Sequence, residues 1–318
     1  MAAGGLGNVA SAIYRKMYEL SSHIHDKVRQ SILITGSARS GTTIFGKLIG
    51  SLQTVEYFFE PPMLFSLFAL LDQLPSNEAR LLFDTFVYEE LLIGALSGRM
   101  INLRSQDDSS IYNTKTETEV ARRMRATARK SDIETETATI AVKLPDFIYR
   151  LTEITEILGV KRLLISIRDP SSTISSLLRR GWFTDTALQA GDITWPNRFN
   201  GRVAAPHWIP FEWLEFWDTM NEADRAALYF ITQTNLTEKQ PKTALVFDYE
   251  QMVRQPRALL KSVADHLGLS FGPRTESILA QVKTQETTEK FDLRLLQKDL
   301  RERAEAVYAK ARTRCLEL

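Results

Sequence analysis

Apolar residues recur at steps of three or four at Val9, Ile13, Met17, Leu20, Ile24 and Val28, which predicts an amphipathic helix ahead of the first strand. Three uses are open to its apolar face: docking on its own domain, a homodimer contact, or weak membrane association. The continuous run Ile32-Leu33-Ile34 then reads as a buried strand, and Ile44-Phe45-Gly46-Lys47-Leu48-Ile49 as the opening turns of a helix reaching about Ser51. Residues 55–59 predict a second strand, stopped at Glu60-Pro61-Pro62 because proline cannot extend a ladder. Residues 62–96, rich in Leu and Phe, predict two helices, 106–111 a polar loop, 116–130 a charged helix and 131–139 a surface linker. Ile140-Ala141-Val142-Lys143 is the third strand, and 147–158 a helix closed by Gly159. A β-branched run over 162–167 ends at Arg168-Asp169-Pro170 and leads into a Ser-rich helix to Arg179. Residues 181–217 read as irregular and aromatic, 221–234 as a helix and 244–247 as the last strand. A helix over 256–267 stops at Gly268, and the tail from 275 is charged and mostly helical.

Strands alternate with helices, which predicts an α/β fold: a single domain with a central, mostly parallel sheet and helices on both faces. The expected division is an N-terminal helix over 1–30 and one domain over 31–318. In such a sheet, functional groups collect beyond the carboxyl ends of the strands. Arg39, Glu60, Lys143, Arg168 and Tyr249 all fall at or just after a predicted strand end.

Composition narrows this picture only by exclusion. The 318 residues, 44% of them hydrophobic, suffice for one large core or two small ones. A net charge of +1 gives no global attraction to nucleic acid, so any anion site must be local. The single cysteine, Cys315, can form no internal disulfide and suits a reducing compartment. The first ten residues lack a basic region followed by an apolar one, as a secretory leader would have. The longest apolar-rich stretch, 63–74, is interrupted by Ser66 and Asp72 and is too short to span a membrane. A cytoplasmic protein without a transmembrane segment is expected. No His/Cys/Asp cluster has metal-ligand spacing, so no metal is expected.

The chemistry starts at Gly36-Ser37-Ala38-Arg39-Ser40-Gly41-Thr42-Thr43. A strand, a glycine-bounded loop and a helix N-terminus together make an anion cradle, where backbone N–H groups and the helix dipole face the ligand. The spacing is that of a P-loop, G-x-x-x-x-G-x-[ST], but Thr42 stands where a nucleotidase carries its lysine, and the cation lies inside the loop at Arg39. The missing lysine, and the lack of an acidic Mg²⁺ ligand after an apolar strand, weigh against a P-loop kinase or other nucleotide-binding protein, which remains the alternative. Arg168-Asp169-Pro170 with Ser176 eight residues on is a second candidate phosphate site, because arginine offers a bidentate fork. Alone, that pattern is equally a local ion pair and turn.

These residues resemble the PAPS-dependent sulfotransferase superfamily. The loop looks like its 5′-phosphosulfate loop, with Arg39 at the basic position. Arg168 and Ser176 match the 3′-phosphate pair in spacing. Phe247-Asp248-Tyr249-Glu250-Gln251-Met252-Val253, then Pro256 and His266-Leu267-Gly268-Leu269, resembles a later family segment. The match covers about 31–269 and is poor over 100–135 and 181–240. The resemblance implies sulfuryl transfer from 3′-phosphoadenosine 5′-phosphosulfate (PAPS, leaving the bisphosphate PAP) to an acceptor hydroxyl. It implies donor contacts from Arg39, Ser40, Gly41, Thr42, Thr43, Arg168, Ser176 and Tyr249. Lys143, in Lys143-Leu144-Pro145, resembles a Lys-x-Pro of the tyrosylprotein and bacterial branches that contacts the leaving group; otherwise it is a strand-end lysine in solvent. The cytosolic small-molecule branch places a histidine near this point, and this chain has none there. Glu60 follows the loop's helix and the second strand, as a Glu does in the tyrosylprotein and several carbohydrate sulfotransferases, and that resemblance makes it the expected general base, unless it caps the following helix or pairs with a cation structurally. Carbohydrate, peptide tyrosine, lipid and small-molecule acceptors all stay open.

Trp182, Phe183, Trp195, Phe199, Trp208, Phe211, Trp213, Phe216 and Trp217 crowd one segment, either as an acceptor pocket or as a satellite core. His207 lies among them and is the one histidine with a potential site role.

Overall fold

The computed structural model describes residues 20–125, 133, 135–191, 197–282 and 289–316. Most of the predicted N-terminal helix lies outside the described residues. Its remainder, α1 (Ser22–Arg29), buries Val28 and packs Ile24 against the sheet's own core. The His25 ring of α1 also meets the Asp84 carboxylate at 2.5 Å. For this portion, docking on its own domain is the use observed.

Five strands, β1 (Ile32–Gly36), β2 (Val55–Phe59), β3 (Thr139–Lys143), β4 (Arg162–Ile167) and β7 (Leu245–Asp248), form one sheet in the order β2-β3-β1-β4-β7. Every pairing in it is parallel. The sheet is buried on both faces, so its strands read as continuous apolar runs rather than as alternation. Alternate residues still go to opposite cores. Ile32, Ile34, Ala141, Leu164 and Phe247 pack with the helix Thr42–Gly50 and the helix Pro256–Leu267. Leu33, Val142, Leu163, Ile165 and Val246 pack on the other side with the helices between residues 62 and 96 and with 148–158. β3 and β4 lie on either side of β1, so the connection between them crosses it. The crevice at that switch point opens directly beyond the loop that follows β1.

Two expectations need correction. The segment 181–217 is not irregular: it holds the antiparallel hairpin β5 (Asn197–Asn200) and β6 (Val203–Pro206), turned by a left-handed Gly201 (φ 72°). Asn200 pairs with Val203, so the loop is Gly201-Arg202, and a glycine at the first loop position is a hairpin signal that the surrounding aromatic residues obscured. The helix expected over 147–158 is a 3₁₀ turn, one helical turn and a π-helical stretch, though Gly159 does close it in the left-handed conformation. A second π-helical stretch, Phe86–Ile93, continues the helix Ser76–Thr85.

The aromatic segment belongs mainly to a third core. Phe183 and Trp217 are buried with Ile174, Leu177, Val203 and Tyr229, while Trp208 and Trp213 pack against them. Phe199 and Phe211 stand about 80% and 81% exposed, and Trp195 lies outside the described residues. The satellite-core reading therefore describes most of these rings.

Candidate active site

The anion loop is built by its own polar groups. The Ser40 hydroxyl donates to the Ser37 carbonyl (2.7 Å), and the Ser40 amide donates to the same oxygen (3.1 Å). From β4, the Ser166 hydroxyl holds the Ser40 carbonyl at 2.6 Å. Ser40 is buried, so its side chain serves the loop's shape. Arg39 sits in the left-handed region (φ 70°), as does Gly41 (φ 89°), which caps the helix Thr42–Gly50. That helix first closes through the Phe45 amide onto Gly41 O (3.1 Å), which leaves the amides of its first turn without intrahelical acceptors. The Tyr249 ring lies directly over Gly41: a Cβ there would stand 2.1 Å from ring carbon Cδ2. Gly41→Ala is expected to destabilise the fold by about 2–4 kcal/mol, from overpacking together with left-handed strain. Thermal unfolding with the van't Hoff enthalpy checks this; an unchanged midpoint would show that Tyr249 moves aside freely.

Four arginines gather beside the loop. Arg39 Nε donates to Ser176 Oγ at 3.0 Å, so the loop and the helix Pro170–Leu178 are joined across the two predicted anion sites. The Arg168 guanidinium donates to the Arg39 carbonyl (2.9 Å) and lies over the Tyr249 ring, 4.5 Å from its centroid. Burial, and then the charges of Arg180, Arg168 and Arg179, depress the pKa of Arg39 below its ordinary value. A partly buried cluster of like charges that repel one another is favourably completed by an anion.

A second group of side chains is assembled where β2 and β3 end in register. Phe59 pairs with Lys143, and the Glu60 amide donates to the Lys143 carbonyl at 3.0 Å. Glu60 itself is left-handed (φ 47°), which turns its side chain off the strand line. Its carboxylate accepts from the Lys143 ammonium, which also sits 4.3 Å from the centre of the Phe59 ring. Lys143 is 3% exposed, so it is not a solvated strand-end lysine. Burial lowers its pKa from the ordinary lysine value, and Glu60 opposes that shift. The helix Pro62–Ala69 has Pro61 at its cap and takes no side-chain cap, so Glu60 does not serve that purpose.

Arg39, Gly41, Thr42, Thr43, Glu60, Lys143, Arg168, Ser176 and Tyr249 all line one cavity of about 830 Å³. Ser40 is absent from its wall. Asp146, which sequence reasoning missed, is there too. It is a left-handed residue (φ 66°) three positions after Lys143, and its carboxylate accepts from the Ala38 amide (3.0 Å) and the Tyr229 hydroxyl. The only signal for it was an acid just beyond a strand end. Lys47 and Asp108, paired at 2.7 Å, and Arg179, Arg180 and Trp182 complete the polar and aromatic wall. Among the described residues, Trp182 is the one tryptophan or phenylalanine of the aromatic segment that lines it. His207 does not reach the cavity and instead meets Tyr149 edge-on at 5.4 Å. Among the described residues no group of three or more His, Cys, Asp or Glu could hold a metal ion, and no helix is long and apolar enough to cross a membrane.

The sequence model of the Sulfotransferase family matches residues 31–273. The chain belongs to the sulfotransferase family. The matched segment carries the anion loop, Glu60, Lys143, Arg168 and Ser176. Two solved structures resemble this sulfotransferase. One is the sulfotransferase domain from the Synechococcus PCC 7002 olefin synthase, at 15% identity and TM-score 0.42, covering 87% of this chain and 94% of that one. The other is the sulfotransferase domain from the curacin biosynthetic pathway, at 14% identity and TM-score 0.41, covering 88% and 96%. No curated protein sequence matches the chain. The sulfotransferase segment ends before the helix Lys298–Arg312, yet that helix packs Leu300 and Ala304 into the protein's cores and sends Tyr308 to Asp248 and Glu250.

Proposed function

We propose that the chain moves a sulfuryl group from PAPS to an acceptor hydroxyl by metal-independent in-line transfer. The observation that carries this reading is the single cavity onto which the anion loop, the Arg168–Ser176 pair and the Glu60–Lys143 pair all open. Its volume of about 830 Å³ falls within the roughly 300–1,000 Å³ of small-molecule sites. The amides of the first helical turn and the Thr42 and Thr43 side chains suit the phosphosulfate end of the donor. Arg168 and Ser176 suit its 3′-phosphate, and Tyr249 offers a ring face beside them. When bound, the donor supplies an activated sulfuryl group on a phosphate leaving group.

The residues then divide the work. Arg39 and Lys143 are cations that can neutralise the charge developing on the leaving oxygen, the role for which preorganised charges are most effective. Lys143 now donates to Glu60. An ammonium drawn to the donor's leaving oxygen releases that carboxylate, and Glu60 then accepts the proton of the acceptor hydroxyl. The acceptor class spans carbohydrate, peptide tyrosine, lipid and small molecules. The expected result is label transfer from ³⁵S-PAPS to at least one acceptor in such a panel, with PAP released and no loss of rate in a chelator. Turnover that requires Mg²⁺, or label transferred from a nucleoside triphosphate instead, would overturn the reading.

A further inference from the structure

Next to Arg168, three carboxylates that do not line the cavity converge. The Glu250 side chain is the nearest: its Oε1 lies 3.8 Å from Arg168 Nε, and its Oε2 accepts from the Asp169 amide at 3.1 Å. One carboxylate thus touches both the guanidinium and the backbone of the turn that carries it. Glu250 is held from the far side by Tyr308 of the helix Lys298–Arg312, whose hydroxyl lies 3.2 Å from Glu250 Oε2 and 3.1 Å from Asp248 Oδ2. Asp248 in turn caps the Glu250 amide (3.0 Å) and meets Arg312 Nε at 3.1 Å. The remaining charged neighbours are Asp169, which Lys290 approaches at 3.9 Å, and Arg254, which donates to the Glu250 carbonyl at 3.2 Å. These contacts bring together the ends of β4 and β7 and a helix outside the matched family segment.

We propose that Glu250, held by Tyr308, is a positioning residue for Arg168 and a charge gate on the affinity of Arg168 for a donor phosphate. This rests on the reading of Arg168 given above. A phosphate in the cavity and an ionised Glu250 compete for one guanidinium. With its proton on, Glu250 still accepts the Asp169 amide through its carbonyl oxygen and keeps the turn in place, but it no longer repels the phosphate. Burial, with the Asp248 carboxylate next, pushes Glu250 up to about 7. The gate therefore works around neutral pH. The sign follows from linkage: an anion beside Glu250 raises its pKa further, so donor binding takes up a proton. Affinity is highest below pH 7, falls as pH rises through 7, and levels off once Glu250 is ionised in both the free and the bound protein.

The test is titration calorimetry of the full chain with PAP between pH 6 and 9, comparing wild type with Glu250→Gln, Tyr308→Phe and Arg168→Ala. Glutamine keeps the acceptor for the Asp169 amide and cannot ionise, so it isolates the gate from the scaffold. Any titration of PAP itself is common to wild type and variant, and the difference between them is the readout. Wild type is expected to lose roughly fivefold in affinity relative to Glu250→Gln as pH rises, the scale of one screened charge at this range. Tyr308→Phe removes a donor to the carboxylate and is expected to move the fall to higher pH; it also serves as the second test if Glu250→Gln does not fold. A Glu250→Gln protein that follows the wild-type pH dependence, or a Tyr308→Phe midpoint that does not move, overturns the gate while leaving the donor site intact. PAP binding unaffected by Arg168→Ala overturns the donor-site reading, and the gate with it.

Discussion

Glu60→Gln is expected to lower the transfer rate by about 10²–10⁴-fold, the usual range for a lost general base, while leaving PAP affinity within a small factor of wild type. The substitution is nearly isosteric, and the backbone bond from the Glu60 amide to the Lys143 carbonyl at 3.0 Å is untouched. What disappears is the carboxylate that can take the acceptor's proton. A second consequence has a defined sign. Burial already lowers the pKa of Lys143, and Glu60 is the first influence that opposes it. Without that counter-charge the ammonium loses its proton at lower pH, so the alkaline limb of the variant's rate profile should move down the pH scale. Single-turnover rates across pH, together with PAP titration, check both parts. A fully active Glu60→Gln enzyme would pass the base role to another group. Asp146 would be an unpromising successor, because its carboxylate already accepts from the Ala38 amide and the Tyr229 hydroxyl.

Arg39→Ala is expected to lower turnover by about 10²–10³-fold, comparable to removing one preorganised charge-stabilising donor. The free protein carries its own control. Arg39 is crowded by Arg168, Arg179 and Arg180, so its removal relieves repulsion in the absence of ligand. The variant should therefore unfold at a temperature equal to or above that of wild type, while the stabilisation produced by PAP shrinks. Steady-state kinetics and thermal unfolding with and without PAP separate these effects. Near-normal turnover would remove Arg39 from the mechanism. A large fall in the stability of the free protein would instead make its hydrogen bond to Ser176 structural.

The two variants probe residues of one cavity, and their legibility in the sequence differed. The cradle could be read from eight consecutive residues because strand, glycine-bounded turn and helix are local features, and local features follow from short-range sterics. Arg168 and Ser176 were readable as a pair for the same reason: one helix carries the serine from the strand end. The strand ends put Glu60 near Arg39 and Lys143, but which of the two it pairs with was not readable. An acid after a strand caps a helix as readily as it meets a lysine 83 positions away, and only the parallel register of β2 against β3, with Phe59 opposite Lys143, decides between them. Ser40 shows the converse. Its place in a phosphate-loop motif suggested a ligand contact, but its hydroxyl satisfies the buried Ser37 carbonyl.

By itself, the amino-acid sequence determined the α/β alternation, the positions of the five strands of the parallel sheet, the anion loop and the residues that gather at the strand ends. Each of these depends on a period, a run or a turn that spans a few residues. The tertiary structure alone decided the pairing of Lys143 with Glu60 and the recruitment of Asp146 and Tyr229 to hold the loop. It also decided the sorting of the aromatic segment into a core with Trp182 at the cavity, and the reach of Tyr308 to Glu250. Those contacts join residues far apart in the chain, and they depend on strand order and register, which the hydrophobic pattern of separate segments does not encode.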